Sequence, residues 1–227
     1  MKRSLLIILL VLIIDQVSKI WIKTHLFLGE EFHVLGNWFL IHFTENNGMA
    51  FGLEFGGAPG KFLLSIFRII LVIGIGWYLH RLIKTKAHSG LIICFSLIFA
   101  GAIGNIIDSV FYGLIFSESS DGLATLFPPE GGYSGLLHGK VVDMLYFPLV
   151  DGRFPDWLPF WGGEYFLFFR QVFNIADSAI SVGVISLLFF QKKFYKHDPP
   201  VQNQPDDSTV IPSEEQMVDN SSLTKEF

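Results

Sequence analysis

The sequence predicts an all-α polytopic membrane protein: four transmembrane helices with a small outer β element and an interfacial loop or helix. Three observations carry that expectation. Hydrophobic residues make up 51% of the 227 positions against 16% charged, with a mean hydropathy of +0.47, high for a soluble domain. Four segments are apolar over the roughly 20 residues a helix needs to cross about 30 Å of hydrocarbon. Lysines and arginines gather where a membrane chain keeps its cytoplasmic ends.

The first segment is "SLLIILLVLIIDQVSKIW", residues 4–21. Lys2 and Arg3 ahead of it also suit a cleaved signal peptide. No small-x-small cleavage site follows, and the apolar pattern resumes at Ile20 and Trp21, so a retained span is expected. The second is "FLLSIFRIILVIGIGWYLH", 62–80, and the third "GLIICFSLIFAGAIGNII", 90–107. On the third, Ser96, Ala100 and Gly104 place a small residue every four positions, which lets a neighbouring helix approach closely. The fourth is "FNIADSAISVGVISLLFF", 173–190.

Arg81, Lys84 and Lys86 fill the connection between the second and third spans, and Lys192, Lys193 and Lys196 follow the fourth. Both termini are therefore expected in the cytoplasm, with residues 22–61 and 108–172 outside. Trp157 and Trp161 suit loops at the membrane interface. Two units are expected: 1–195 as the membrane domain and 196–227 as a disordered cytoplasmic tail. The tail holds Asp206, Asp207, Glu214 and Glu215 among prolines. The lone Cys94 excludes an intrachain disulfide framework and a cysteine-based metal site.

The polar residues of the spans fall at one depth. Asp15 and Lys19 come late in an outward-running helix, Asn105 and Asp108 end another, and Asn174 and Asp177 start an inward-running one. Arg68 lies in the outer half of the second span. Ionisable groups in lipid are costly and face a bundle interior or a wet cavity, so one shared site is expected on the outer side. Asp15 and Lys19 have the four-residue spacing of a helical ion pair, and a structural role is the simpler one for them. Asn174, Asp177, Ser178 and Ser181 form an i, i+3, i+4, i+7 stripe. Asn105 and Asp108 suit a helix end as well as a site, and Asp177 suits the positive end of a helix dipole. In the loops, "TENNGMAFG" (44–52) carries a turn signal, and "HGKVVDMLYF" (138–147) is β-like around one acid, Asp143. A buried acid there needs a partner or a raised pKa; a solvated interfacial aspartate is the alternative.

"DQVSK", "NNGMAF", "GAIGNIID", "VVDM" and "FNIADSAI", in this order, resemble the lipoprotein signal peptidase family, also called signal peptidase II, over residues 8–190. The resemblance implies an aspartic endopeptidase, a hydrolase of the bacterial cytoplasmic (inner) membrane. Its substrates would be prolipoproteins, cut just before a cysteine that carries a diacylglyceryl group. By motif, Asp143 and Asp177 are the implied catalytic pair, sharing a proton as coupled carboxylates do. Asn46, Gly48, Asn105, Asp108 and Asn174 match substrate-binding or supporting positions, and Asp15 with Lys19 a supporting pair. No metal or cofactor is implied, membrane lipids are the surroundings, and no nucleic-acid partner is expected. Four short helices and a small β element suit a monomer.

Where the family commonly has an arginine after the "GNxxD" aspartate, this chain has Ser109. Lys140 and Arg170, and after them Arg68, are candidates to supply the missing charge. Segments 114–138 and 148–170 are longer than usual for the family, as a lid or as surface decoration. Two other readings remain beside the peptidase: a four-span proton or cation transporter subunit, which the confinement of the acids to one side disfavours, and a noncatalytic membrane scaffold.

Overall fold

The computed structural model describes residues 1–47, 57–148, 150–168 and 171–194. Gly48, Arg170 and the acidic tail lie outside the described residues. Four helices have spanning length and hydropathy: Lys2–His25, Pro59–Lys84, Ser89–Ile115 and Ile175–Phe194. The first is α1 (Lys2–His25), and the second lies within α2 (Gly57–Lys84).

The third span differs from expectation. It starts as α3 (Ser89–Ile107), where the His88 imidazole accepts from the Gly90 amide at 3.1 Å as an N-terminal cap. Instead of ending near Asp108 it continues through a π-helical turn (Asp108–Tyr112) into the short α4 (Gly113–Ile115). The polar pair Asp108–Ser109 looks like a helix end in sequence. Both side chains are buried and hydrogen-bonded, however, so neither needs water. A π turn inside an α-helix often marks a functional site.

The fourth span, α5 (Ile175–Phe194), begins two residues later than the apolar run. Phe173 belongs to a strand, and Asn174 is the residue before the first helical turn. Of the expected polar stripe, Ser181 is exposed, while the Ser178 hydroxyl donates to the Asn174 carbonyl at 3.0 Å. The stripe therefore serves the site only through its first turn.

The small residues of α3 do face its neighbours. A Cβ on Gly104 would lie 2.7 Å from Asp15 Oδ2 and 3.2 Å from Ala176 Cβ, so glycine is what lets α1 and α5 both close on α3. Ser96 shares a 2.6 Å hydrogen bond with Ser4 of α1, and Ala100 is buried. Outward-facing Ile13, Val17, Ile70, Ile73, Leu188 and Phe189 form the lipid side of the bundle.

Above the bundle sits an antiparallel sheet of β1 (Glu31–Leu35), β2 (Phe39–Asn46), β3 (Val141–Tyr146) and β6 (Val172–Phe173), in the order β1-β2-β3-β6. A core of Ile22, Phe43, Tyr112, Phe116, Val142 and Met144 joins the sheet to the ends of α1 and α4. Segment 114–138 packs against this core through Phe116 and Ala124, with a Phe116–Leu126 bridge. A separate hairpin, β4 (Val150–Arg153) with β5 (Tyr165–Phe168), carries exposed Trp157, Phe160 and Trp161 between its strands.

Candidate active site

The site forms where the sheet meets the C-terminal ends of α1 and α3 and the N-terminal end of α5. β3 is buried at its first four residues, so Asp143 is nearly shut off from solvent and must find partners. Thr44 is paired with Asp143, which places Asn46 of β2 diagonally across the strands, and its side-chain amide donates to Asp143 Oδ2. Asn174 donates to Asp143 Oδ1 at 2.7 Å.

Asn174 does three further things. Its Oδ1 accepts from the Asp177 amide at 2.8 Å, and Asp177 Oδ2 accepts in return from the Asn174 amide at 3.4 Å. This reciprocal arrangement is a capping box, which explains why α5 starts here. The Asn174 side-chain nitrogen Nδ2 also donates to Asn105 Oδ1 at 3.0 Å. Asn105 in turn donates to Asp177 Oδ1 at 2.7 Å. Asn174 and Asn105 thus tie Asp143 on β3 to Asp177 on α5 through neutral amides that can move little.

A layer of charge lies beneath. The Lys19 ammonium has three donors and three partners: Asp15 Oδ2 at 2.9 Å, Asp108 Oδ2 at 2.8 Å and Asn105 Oδ1 at 2.9 Å. Asp15 Oδ1 accepts from the Ala176 amide at 2.9 Å, satisfying another free donor of the α5 first turn. Gln16 contributes contacts that its place in the sequence does not suggest. Its side-chain amide donates to Asp15 Oδ2 and Asp108 Oδ1, both at 3.0 Å, and its carbonyl accepts from the Tyr112 hydroxyl at 3.2 Å. It stands within "DQVSK", but a glutamine beside an acid carries no signal of its own.

Asp15, Lys19, Asp108 and Asn174 are fully enclosed, and Asp143 is 3% exposed. Burial pushes the Asp143 carboxyl up to about 7, and the negative charge of Asp177 pushes the same way. The amides of Asn174 and Asn46 and the Lys19 charge pull back without cancelling that rise. Asp177 is half-buried and opens on a cleft of about 280 Å³ between α2, α3 and α5, lined by Arg68, Leu71, Val72, Asn105, Asp177 and Ile180.

Asn46, Asn105, Asp108, Asn174, Asp15, Lys19, Asp143 and Asp177 therefore join one continuous network. Ser109 is buried, its hydroxyl donating to the Asn105 carbonyl at 3.0 Å. Of the three candidates to replace the family arginine, Arg170 lies outside the described residues. Lys140 lies 2.6 Å from Glu118 and 3.6 Å from Glu45, away from the two aspartates, whereas Arg68 borders the cleft with Asp177. Among the described residues, no three His, Cys, Asp or Glu side chains gather as a metal-binding group.

Two carboxylates bridged by one asparagine, at one end of four spans, equip a membrane aspartic peptidase. The chain belongs to the signal peptidase II family, whose model matches residues 7–192. As a member it removes signal peptides from prolipoproteins. It is 55% identical over 183 residues to the lipoprotein signal peptidase of Porphyromonas gingivalis, covering 80% of this chain and 79% of that one. It is 38% identical to the lipoprotein signal peptidase of Amoebophilus asiaticus, covering 94% and 88%. Among solved structures, a bacterial membrane enzyme determined at 1.9 Å by the in meso method superposes with a TM-score of 0.56 at 29% identity, covering 85% of this chain and 94% of that one. Another, determined at 2.3 Å, gives 0.54 at 26% identity, covering 89% and 96%.

Proposed function

We propose that Asp143 and Asp177 are the catalytic pair, and that they hydrolyse the peptide bond just before a diacylglyceryl-modified cysteine. The observation that carries this is the shared Asn174, whose side-chain amide donates to Asp143 Oδ1 and whose backbone amide donates to Asp177 Oδ2, while burial pushes the Asp143 carboxyl up to about 7. A carboxyl that titrates near the working pH is matched to proton transfer.

In the first step a water attacks the scissile carbonyl carbon. Asp177 takes a proton from the water as the new C–O bond forms, and Asp143 gives its proton to the carbonyl oxygen, leaving a neutral gem-diol. In the second, the C–N bond breaks. Asp177 returns its proton to the departing cysteine amine, and a diol hydroxyl returns one to Asp143. Asn105, Asn174 and Asn46 orient the two acids; Lys19, Asp15 and Asp108 fix Asn105 and the α5 first turn.

We infer that the reaction takes place near the outer face, with both chain ends in the cytoplasm. The support is the positive charge of residues 2–3, 81–86 and 192–193, all at the end of the spans opposite the site. A substrate anchored by its acyl chains would then present its cleavage site at the depth of Asp177, in the first turn of α5. Monomeric action in contact with bilayer lipid is proposed with it.

The test is cleavage of a diacylglyceryl-modified prolipoprotein by purified wild type, Asp143→Asn and Asp177→Asn. Both variants are expected to fold, to bind substrate and to lose about 10³-fold or more in turnover. Near-normal cleavage by either removes that aspartate from the mechanism.

A further inference from the structure

Arg68 is the cation of α2 that borders the cleft. An arginine in a spanning helix is costly, and such residues face the bundle interior or a wet cavity. Its neighbours Phe67 and Ile70 turn outward to lipid, while Arg68 itself is half-buried and shares the cleft wall with Asn105 and Asp177. The guanidinium lies within electrostatic reach of Asp177 first and Asp143 second.

Charge counting gives this placement its meaning. Four carboxyl groups meet at the site: Asp15 on α1, Asp108 on the π turn, Asp143 on β3 and Asp177 on α5. Lys19 is the ammonium among them, and its three donors are taken by Asp15, Asp108 and Asn105. The last of these, Asn105, has a side-chain amide that donates to Asp177 Oδ1 at 2.7 Å. Lys61, two turns before Arg68, donates to Asn47, and Lys140 is held by Glu118 and Glu45. Arg68 thus approaches Asp177 from the cleft, whose wall it shares with Asn105.

We propose that Arg68 is a positioning residue of the reaction: across the cleft its guanidinium holds the single negative charge of the pair on Asp177, leaving the proton on Asp143. The inference rests on the two-aspartate reading above. It gives the pair a direction, with the base facing the substrate cleft and the acid enclosed by the sheet. The scissile peptide would reach that base by passing between α2 and α3, beside the guanidinium. Arginine suits the task because it keeps its charge at partly dry sites, where a lysine loses a proton more readily.

The test compares full-length wild type, Arg68→Met, Arg68→Lys, Asp143→Asn and Asp177→Asn in one prolipoprotein cleavage assay across pH 4 to 9. Methionine suits lipid, so Arg68→Met is expected to insert and melt like wild type. Its kcat is expected to fall about tenfold or more with KM changed far less. The acidic limb of its kcat/KM profile is expected to move to higher pH, because loss of a nearby cation disfavours the charged form of a carboxyl base. Arg68→Lys should restore most of both. An acidic limb left in the wild-type position by Arg68→Met overturns the proposal, even where kcat falls. If that happens while both aspartate variants are inactive, Arg68 alone is wrongly assigned; normal cleavage by an aspartate variant overturns the pair itself.

Discussion

Lys19 and Lys23 stand one turn apart on α1, both fully buried, and they do opposite work. Lys23 pairs with Glu45 and donates to Ser119 at 2.6 Å, with the rings of Phe116 and Tyr133 at 5.3 and 5.0 Å. Lys140 and Glu118 complete its group. Burial alone would raise the Glu118 carboxyl, but the hydrogen bond and charge of Lys140 hold it below its ordinary value. Burial likewise works against the Lys140 charge, and Glu118 with Glu45 outweighs it. Two cations thus face two anions, and no proton is left over.

The group around Lys19 is unbalanced. One ammonium and one guanidinium face four carboxyl groups in a place where uncompensated charge is expensive. A proton on Asp143, pushed up to about 7, relieves one of the two surplus charges. A balanced cluster of this kind pins β2 and segment 114–138 onto α1. An acid-rich one stores a mobile proton beside a cleft. The two lysines are equally buried, so the difference lies in the count of acids and bases around them and in the partial exposure of Lys140 and Glu118.

The largest effect that would break this contrast comes from Lys19→Met. It leaves Asp15 and Asp108 enclosed without their cation, and such a removal costs about 3 to 5 kcal/mol. Thermal unfolding in detergent is expected to show a variant that barely holds its fold, and a melting point near wild type would mean the lysine is dispensable.

The Lys23 cluster should behave differently. Lys23→Met and Glu45→Gln alone are each expected to destabilise, by about 3 kcal/mol at most given the half-exposed Lys140 and Glu118 nearby. The double variant should recover much of that loss, with the pH dependence of cleavage unchanged throughout. A shifted pH profile in the double variant would show that the two clusters communicate.

Smaller still is a stability change that sharpens the account of Asp143. A carboxyl whose folded pKa lies above its unfolded value of about 3.9 binds its proton more tightly when folded. That contribution is complete below about pH 4 and fades as pH rises towards 7. Asp143→Asn removes it, so the stability of the variant relative to wild type should improve between pH 5 and pH 8. Each tenfold tightening of proton binding on folding is worth about 1.4 kcal/mol. A pH dependence parallel to that of wild type would place the retained proton elsewhere.

Much of this was legible in the sequence because hydropathy and positive charge report spans directly, and because costly polar groups at one depth imply a common centre. Asp15, Lys19, Asn105, Asp108, Asn174 and Asp177 stand out that way, and Asp143 as one acid in an apolar run. What was not legible depends on partners distant in the chain. Asp108 looks like a helix end because its partners Lys19 and Gln16 lie about ninety residues earlier. Asn174 looks like part of a stripe, and only its bonds to Asp177 show it as the cap of α5. Lys23 follows Lys19 at helical spacing, yet nothing local says that Glu45 and Ser119 will meet it. The helices announce themselves through neighbours in sequence, whereas the proton balance of the site is set by neighbours in space.

The measurement that bears most directly on the central claim is the pH dependence of kcat/KM for wild-type cleavage of a diacylglyceryl-modified prolipoprotein. If Asp143 must carry a proton into the reaction, the rate falls as pH rises through about 7, forming the basic side of a bell. A rate that stays level from pH 5 to pH 9 would contradict the account.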